Sequence, residues 1–315
     1  MSDGLSMISL ICSLDRNYSI DLFPKLIKNS HSLSIFNKFL IWIFFPFLGP
    51  YSLYLLFFTH CNFTPFREKI NKNNNNFSLI FGKFHNLQKF NEKRKKINLT
   101  FNEIFMNIIS NSVYNICNDV YKENFNCDGI KIMIPIGRKK IQTNYKKIIL
   151  NNETNFLFTK LNLIKNINNL NEIQQNSLIL KSEINNYLLN NTYLNWANVL
   201  ARFFSFRIIN FFADFYCRNV DLVVSNVPGP TKKISIENKK ISIENKKISS
   251  ENICEINRIY ACCSPGREIP FILVISYNNE FITSVTINKK YNVDEKKFIN
   301  YIDKAIEDFI NNKNY

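Results

Sequence analysis

The sequence predicts a layered α/β domain, from the alternation of helices and strands along the chain. Three observations carry this reading. A capped helix opens at T-F-N-E (100–103), strand-like runs such as GIKIMIPIG (129–137) and VDLVVSNV (220–227) alternate with helical periodicity, and a strand hairpin at 271–287 leads into a closing amphipathic helix.

Taken in order, residues 4–14 read as a short amphipathic helix with Leu5, Ile8 and Ile11/Cys12 at helical spacing. Residues 61–96 are polar, basic and turn-rich and read as a connecting region. At Thr100 the hydroxyl can accept one free backbone N–H while Glu103 reaches back to another. Ile104, Phe105, Ile108, Ile109, Ile116 and Val120 then line one helix face to about Tyr121. Strands follow at 129–137 and 154–163, and helices at roughly 171–190 and 193–216. The second of these helices is rich in aromatics, which marks it as buried around most of its circumference. The apolar strand 220–227 stops at Pro228-Gly229-Pro230. FILVISY (271–277) and EFITSVTI (280–287) form a hairpin around Asn278-Asn279, and 294–311 closes the chain with Phe298, Ile302, Ala305, Ile306 and Phe309 on one face.

The 315 residues can bury a sizeable core, and 29 Phe among them exclude a disordered chain. Tracts rich in Asn and Lys, such as INKNNNNF (70–77), reflect a codon bias and are given no functional weight. A net charge of +15 suits a solvated Lys-rich surface, an anionic membrane face or phosphate groups. No zinc-finger, RRM-like or helix-turn-helix pattern is present, so no nucleic acid partner is expected. Cys12, Cys61, Cys117, Cys127, Cys217, Cys254, Cys262 and Cys263 include no C-x-x-C, and His31, His60 and His85 are isolated. Neither a disulfide framework nor a metal site is expected, and a reducing, cytosol-facing environment fits.

No signal peptide pattern opens the chain. Residues 39–58, FLIWIFFPFLGPYSLYLLFF, are an uncharged run long enough to span a bilayer. Pro46, Gly49 and Pro50 interrupt it, favouring a bent span or a shallow hairpin over a straight crossing. A buried core segment is the alternative. Residues 232–252 repeat KKISIEN, KKISIEN, KKISSEN and read as a duplicated surface insertion of which one copy is needed as structure.

The SNVPGP run (225–230), followed by a hairpin whose first strand ends in Ser-Tyr and then a terminal helix, resembles the C-terminal domain of the wax ester synthase/diacylglycerol acyltransferase family. NLTFNEIFMNIISNSVY (98–114) is similar to that family's Asn-Asp-containing helix, with Asn102-Glu103 at those positions. IMIPIGRK (132–139) resembles its Pro-Val-Ser-x-Arg strand, with Pro135 and Arg138 in place, and TNFLFTKLNL resembles the family's Gly-Asn segment with Thr154 in place of Gly.

The resemblance implies a chloramphenicol acetyltransferase-like, CoA-dependent acyltransferase fold of two α/β subdomains, the first incomplete here. It divides the chain into 1–96, a remnant of the first subdomain, and 97–315, the C-terminal domain. It implies transfer of a fatty acyl group from acyl-CoA to diacylglycerol or a long-chain alcohol, with no cofactor beyond that co-substrate. Asp3-Gly4 would be the last two positions of the motif His-His-x-x-x-Asp-Gly, whose second His is the general base. Both histidines would then lie before Met1. Asn102 would form part of the polar wall of the active site and Asn226 would line the tunnel. Pro228, Gly229 and Pro230 would shape the turn beside it, and Arg138 would partner Asp3. A membrane-associated, cytosol-facing enzyme at the endoplasmic reticulum or plasma membrane is implied. The alternative is a lipid-binding or scaffolding protein without catalysis.

Overall fold

A computed structural model of the chain describes residues 4–15, 22–23, 43, 65–66, 76–122, 127, 129–137, 154–185, 205, 207, 220–237, 253–263 and 269–312. In chain order these form α1 (Gly4–Cys12), β1 (Phe77–Asn86), α2 (Leu87–Lys96), α3 (Phe101–Tyr121), β2 (Gly129–Gly137), β3 (Thr154–Asn162) and α4 (Leu170–Asn185). There follow β4 (Leu222–Val227), β5 (Ser235–Glu237), β6 (Ile253–Glu255), β7 (Phe271–Tyr277), β8 (Glu280–Asn288) and α5 (Glu295–Asn311). The helix read at 193–216 and the apolar run 39–58 lie outside the described residues, apart from Ser205, Arg207 and Ile43. Among the described residues no helix is long and apolar enough to cross a membrane.

Local chemistry sets the helix starts. Asn86 accepts from the Lys89 N–H at α2, at 2.8 Å. The capping box at α3 closes as read, with Thr100 N donating to Glu103 Oε2 at 2.6 Å and Glu103 N to Thr100 Oγ1 at 3.3 Å. Asp294 takes the N–H groups of Lys296 and Lys297 at the start of α5. Asn278 and Asn279 both have positive φ, 45° and 63°, the requirement of a tight hairpin turn between β7 and β8.

Six strands form one sheet in the order β1-β8-β7-β4-β2-β3, with β4 parallel to both β2 and β7 and the other pairs antiparallel. Side chains alternate across it. Leu222 and Val224 of β4, and Ile272 and Val274 of β7, join the main core beneath α3 and α5. The predicted faces of both helices lie there: Ile104, Phe105, Ile108, Ile109 and Ile116 from α3, and Phe298, Ile302, Ala305, Ile306 and Phe309 from α5. Phe90, Phe101, Phe281 and Phe309 are held in contact at its centre, with ring centroids 4.9 to 5.5 Å apart. On the opposite face Ile8 and Cys12 of α1 pack with Ile275, Ile282, Leu22 and Phe23.

One segment differs from the sequence reading. Part of the supposed connecting region is β1 and α2, with β1 paired along β8 at the sheet edge. A bulge between Phe81 and Phe84 breaks its alternation, so no clean period shows. Ile80 faces the helices before the bulge and His85 after it. Asp303 of α5 holds the bulge: its Oδ2 accepts from Lys83 N at 3.0 Å, and its Oδ1 lies 2.9 Å from His85 Nε2. A Cβ on Gly82 would stand 2.6 Å from the same carboxylate. At the repeat, the copy with a structural part is the first: Ile234 is fully buried and Ser235–Glu237 is strand β5, paired with β6.

Candidate functional site

The parity of β4 positions the first functional side chain. Two residues beyond Val224, Asn226 points to the helix-bearing face at the C-terminal end of its strand, where α3 begins. There Asn226 Nδ2 donates to Asn102 Oδ1 at 2.7 Å. The structure thus brings together two of the residues singled out from the sequence, in an exposed position at the sheet end.

The Pro-Gly-Pro turn completes this end of the sheet. Val227 is the last residue of β4 in register with β7, opposite Ile275, and Pro228 has no N–H to continue the ladder. Gly229 N donates to Ser276 Oγ at 3.0 Å. Its α-carbon lies so close to β7 that a Cβ there would fall 1.8 Å from the Ser276 carbonyl oxygen, a position only glycine can occupy. Pro230 O accepts from Asn278 N at 3.0 Å, and Thr231 N donates to Leu22 O at 3.0 Å.

Tyr277, the residue after Ser276 on β7, anchors the β5–β6 arm to the main sheet. Its hydroxyl accepts from Ile234 N at 2.9 Å and donates to Ile256 O at 2.6 Å. Burial pushes the Tyr277 pKa up, which keeps the phenol protonated and able to donate. Ser235 N donates to Asp15 Oδ2 at 2.8 Å, tying the arm to the end of α1. Ser-Asn-Val-Pro-Gly-Pro and Ser-Tyr are therefore two halves of one clasp.

The Asn pair spends one N–H and one carbonyl oxygen on itself, and each amide keeps further donor and acceptor capacity. Such a pair can orient a hydroxyl or polarise a carbonyl, and it does not titrate near neutral pH. Among the described residues the histidine is His85, which is buried against Asp303 in the helix layer. Cys12 and Cys117 are inert buried thiols: burial first, then the charge of Asp15, pushes Cys12 up to about 12, and burial raises Cys117 further. Among the described residues no group of His, Cys, Asp and Glu is placed to hold a metal ion.

Gly4 opens α1, whereas Asp3 and Arg138 lie outside the described residues, and their proposed pairing with them. Sequence reasoning missed Asp15, Leu22 and Ser235 as parts of the clasp. Two of these act through backbone atoms, which leave no pattern in the sequence.

Residues 152–243, which include SNVPGP, match the family model described as WS/DGAT C-terminal domain. The family resemblance is therefore supported over that part of the chain. No curated protein matches the chain in sequence. Among solved structures, the epimerization domain from the third module of tyrocidine synthetase B is 12% identical with a TM-score of 0.53, covering 98% of this chain and 66% of that one. The EpoB cyclization-docking bidomain of Sorangium cellulosum is 9% identical with a TM-score of 0.51, covering 98% and 57%. The wax ester synthase/diacylglycerol acyltransferase of Marinobacter aquaeolei VT8 is 12% identical with a TM-score of 0.49, covering 84% of this chain; the chain spans 56% of its length. The mixed α/β architecture is similar to that of the epimerization and cyclization domains.

Proposed function

We propose that this chain, whose residues 152–243 match the C-terminal domain of the wax ester synthase/diacylglycerol acyltransferase family, belongs to an O-acyltransferase acting on fatty acyl-CoA and diacylglycerol or a long-chain alcohol. One observation carries the reading. Within the matched segment, the end of β4 brings Asn226 to within 2.7 Å of Asn102 at the head of α3.

In this reading the acceptor hydroxyl attacks the thioester carbonyl, a C–O bond forms, the C–S bond breaks, and CoA leaves as the thiol. The Asn226 and Asn102 amides donate to the carbonyl oxygen or hold the hydroxyl in line, oriented by their own hydrogen bond. The hydroxyl proton needs a base. The family resemblance gives that role to the second His of the motif His-His-x-x-x-Asp-Gly. The acyl chain and acceptor are lipids, which fits an enzyme docked at a membrane through the apolar run 39–58.

The test is transfer of labelled acyl-CoA to diacylglycerol and to a fatty alcohol by the chain, expressed with and without the coding sequence upstream of Met1. Product from the extended form supports the reading. Absence of product from both forms refutes it and leaves the lipid-binding scaffold. Release of the chain from membranes at alkaline pH would separately reject anchoring through 39–58.

A further inference from the structure

One hydroxyl of the clasp is engaged on one side alone. Ser276 Oγ accepts from Gly229 N at 3.0 Å, which occupies the oxygen and leaves its own O–H able to donate. Among the described residues no acceptor is placed for that hydrogen. A hydroxyl that accepts from a fixed backbone N–H is also the more polarised donor, because hydrogen bonds in a chain strengthen one another.

The sheet register places this side chain beside the Asn pair from two directions. In the parallel pairing of β4 with β7, Asn226 lies opposite Val274 and Val227 opposite Ile275. Val274 belongs to the core beneath α3, so Ser276, two residues further along β7, leaves the sheet on the same face as Asn226. Such diagonal neighbours on adjacent strands stand about 7–8 Å apart, a gap that their side chains narrow to what one bound oxygen can bridge. On its other side Ser276 pairs with Phe281 of β8, whose ring centroid lies 5.5 Å from that of Phe101, the first residue of α3 and the neighbour of Asn102. Ser276 and Asn226 are both half-buried, so a ligand can reach them.

From this juxtaposition we infer that Ser276 is a third donor of the acyl-transfer site, its hydroxyl donating to the carbonyl oxygen of the reacting thioester. This role rests on the acyltransferase reading and adds to the Asn pair, in which one Asn226 N–H is already committed to Asn102 Oδ1. As the acceptor oxygen bonds to the carbonyl carbon, the π electrons move onto the carbonyl oxygen, and the Ser276 hydrogen bond strengthens with the growing charge. When the C–S bond breaks, those electrons return to the C=O bond. Ser276 keeps its proton throughout. Gly229 N holds the hydroxyl oxygen in place, so the donor is set before the substrate arrives.

The experiment is steady-state transfer by the full chain from labelled acyl-CoA to diacylglycerol and to a fatty alcohol, with the Tm of each variant recorded. Ser276→Ala should lower kcat on the order of 10²-fold and leave KM for acyl-CoA within about threefold. Ser276→Thr keeps a hydroxyl and suits a strand, and should hold kcat within about fivefold. Ser276→Cys fills nearly the same space with a weak donor and should fall by at least about tenfold, which decides the matter even where the alanine variant does not fold. A part in the turn alone would lower the Tm of Ser276→Ala and leave kcat unchanged below the melting transition. That result overturns the inference, as does a threonine variant as slow as the alanine one. Wild type without transfer to either acceptor would sink the acyltransferase reading and this role with it, whereas wild-type transfer with undiminished Ser276→Ala or Ser276→Cys turnover sinks this role alone.

Discussion

Replacing Gly229 by Ala puts the contact between the two halves of the clasp under direct strain. The new methyl carbon would be placed 1.8 Å from the Ser276 carbonyl oxygen and 3.1 Å from its carbon, with backbone rather than a pliable side chain in the way. Relief requires the ends of β4 and β7 to part by more than about 1 Å, which stretches the Gly229 N to Ser276 Oγ bond and the Asn278 N to Pro230 O bond. Overpacking costs about 1–3 kcal/mol and each weakened hydrogen bond up to about 1 kcal/mol, for a total of roughly 3 kcal/mol. In a chain of this size that corresponds to a fall in Tm of roughly 6 °C. Circular dichroism melting reads it, with Ser276→Ala as the control: this removes the hydroxyl acceptor alone and should cost about 1 kcal/mol. A Gly229→Ala protein melting within about 1 °C of wild type would refute the close approach and, with it, the clasp.

The same packing sets three further outcomes. Asp303→Ala leaves the buried His85 ring and the Lys83 N–H without their acceptor, and should lower stability to urea by about 3 kcal/mol; an unchanged midpoint contradicts the role of Asp303 at the bulge. Cys12 is held protonated in the fold, with its pKa raised from 9.0 to about 12, so it binds more protons folded than unfolded in that window and its contribution declines as pH rises above about 9. The stability gap between wild type and Cys12→Ala should therefore narrow between about pH 8 and about pH 10.5, and a constant gap argues against it. Deleting residues 239–245, one copy of the repeat, shortens the connection between β5 and β6 without touching Ile234, Ser235 or Tyr277, and should change stability by less than about 1 kcal/mol; a large loss would mean the second copy is structural.

The helices α3 and α5 and the β7–β8 hairpin were legible because their signals are local: a capping box, a 3.6-residue period, and an Asn-Asn turn that tolerates positive φ. β1 was not, because the bulge at Gly82-Lys83 shifts the side-chain alternation and only Asp303, far along the chain, explains why the bulge is held. β5 was hidden by the repeat, since three near-identical copies cannot show which one meets Tyr277. At the site, Pro-Gly-Pro announced a turn, but the need for glycine at 229 comes from a neighbouring strand. Asn102 and Asn226 could be singled out by resemblance, while their contact depends on strand parity and on where α3 begins.

Acyl transfer by the Asn226→Ala variant tests the proposed chemistry most directly. It is measured from labelled acyl-CoA to diacylglycerol and to a fatty alcohol. Asn226 is half-buried at the end of its strand and its one described hydrogen bond is to Asn102, so the variant should fold, with a Tm within about 2 °C of wild type. Its turnover should fall by a factor of about 10² if the amide stabilises charge on the reacting carbonyl. Undiminished turnover in a folded Asn226→Ala protein would show that the end of β4 takes no part in the reaction.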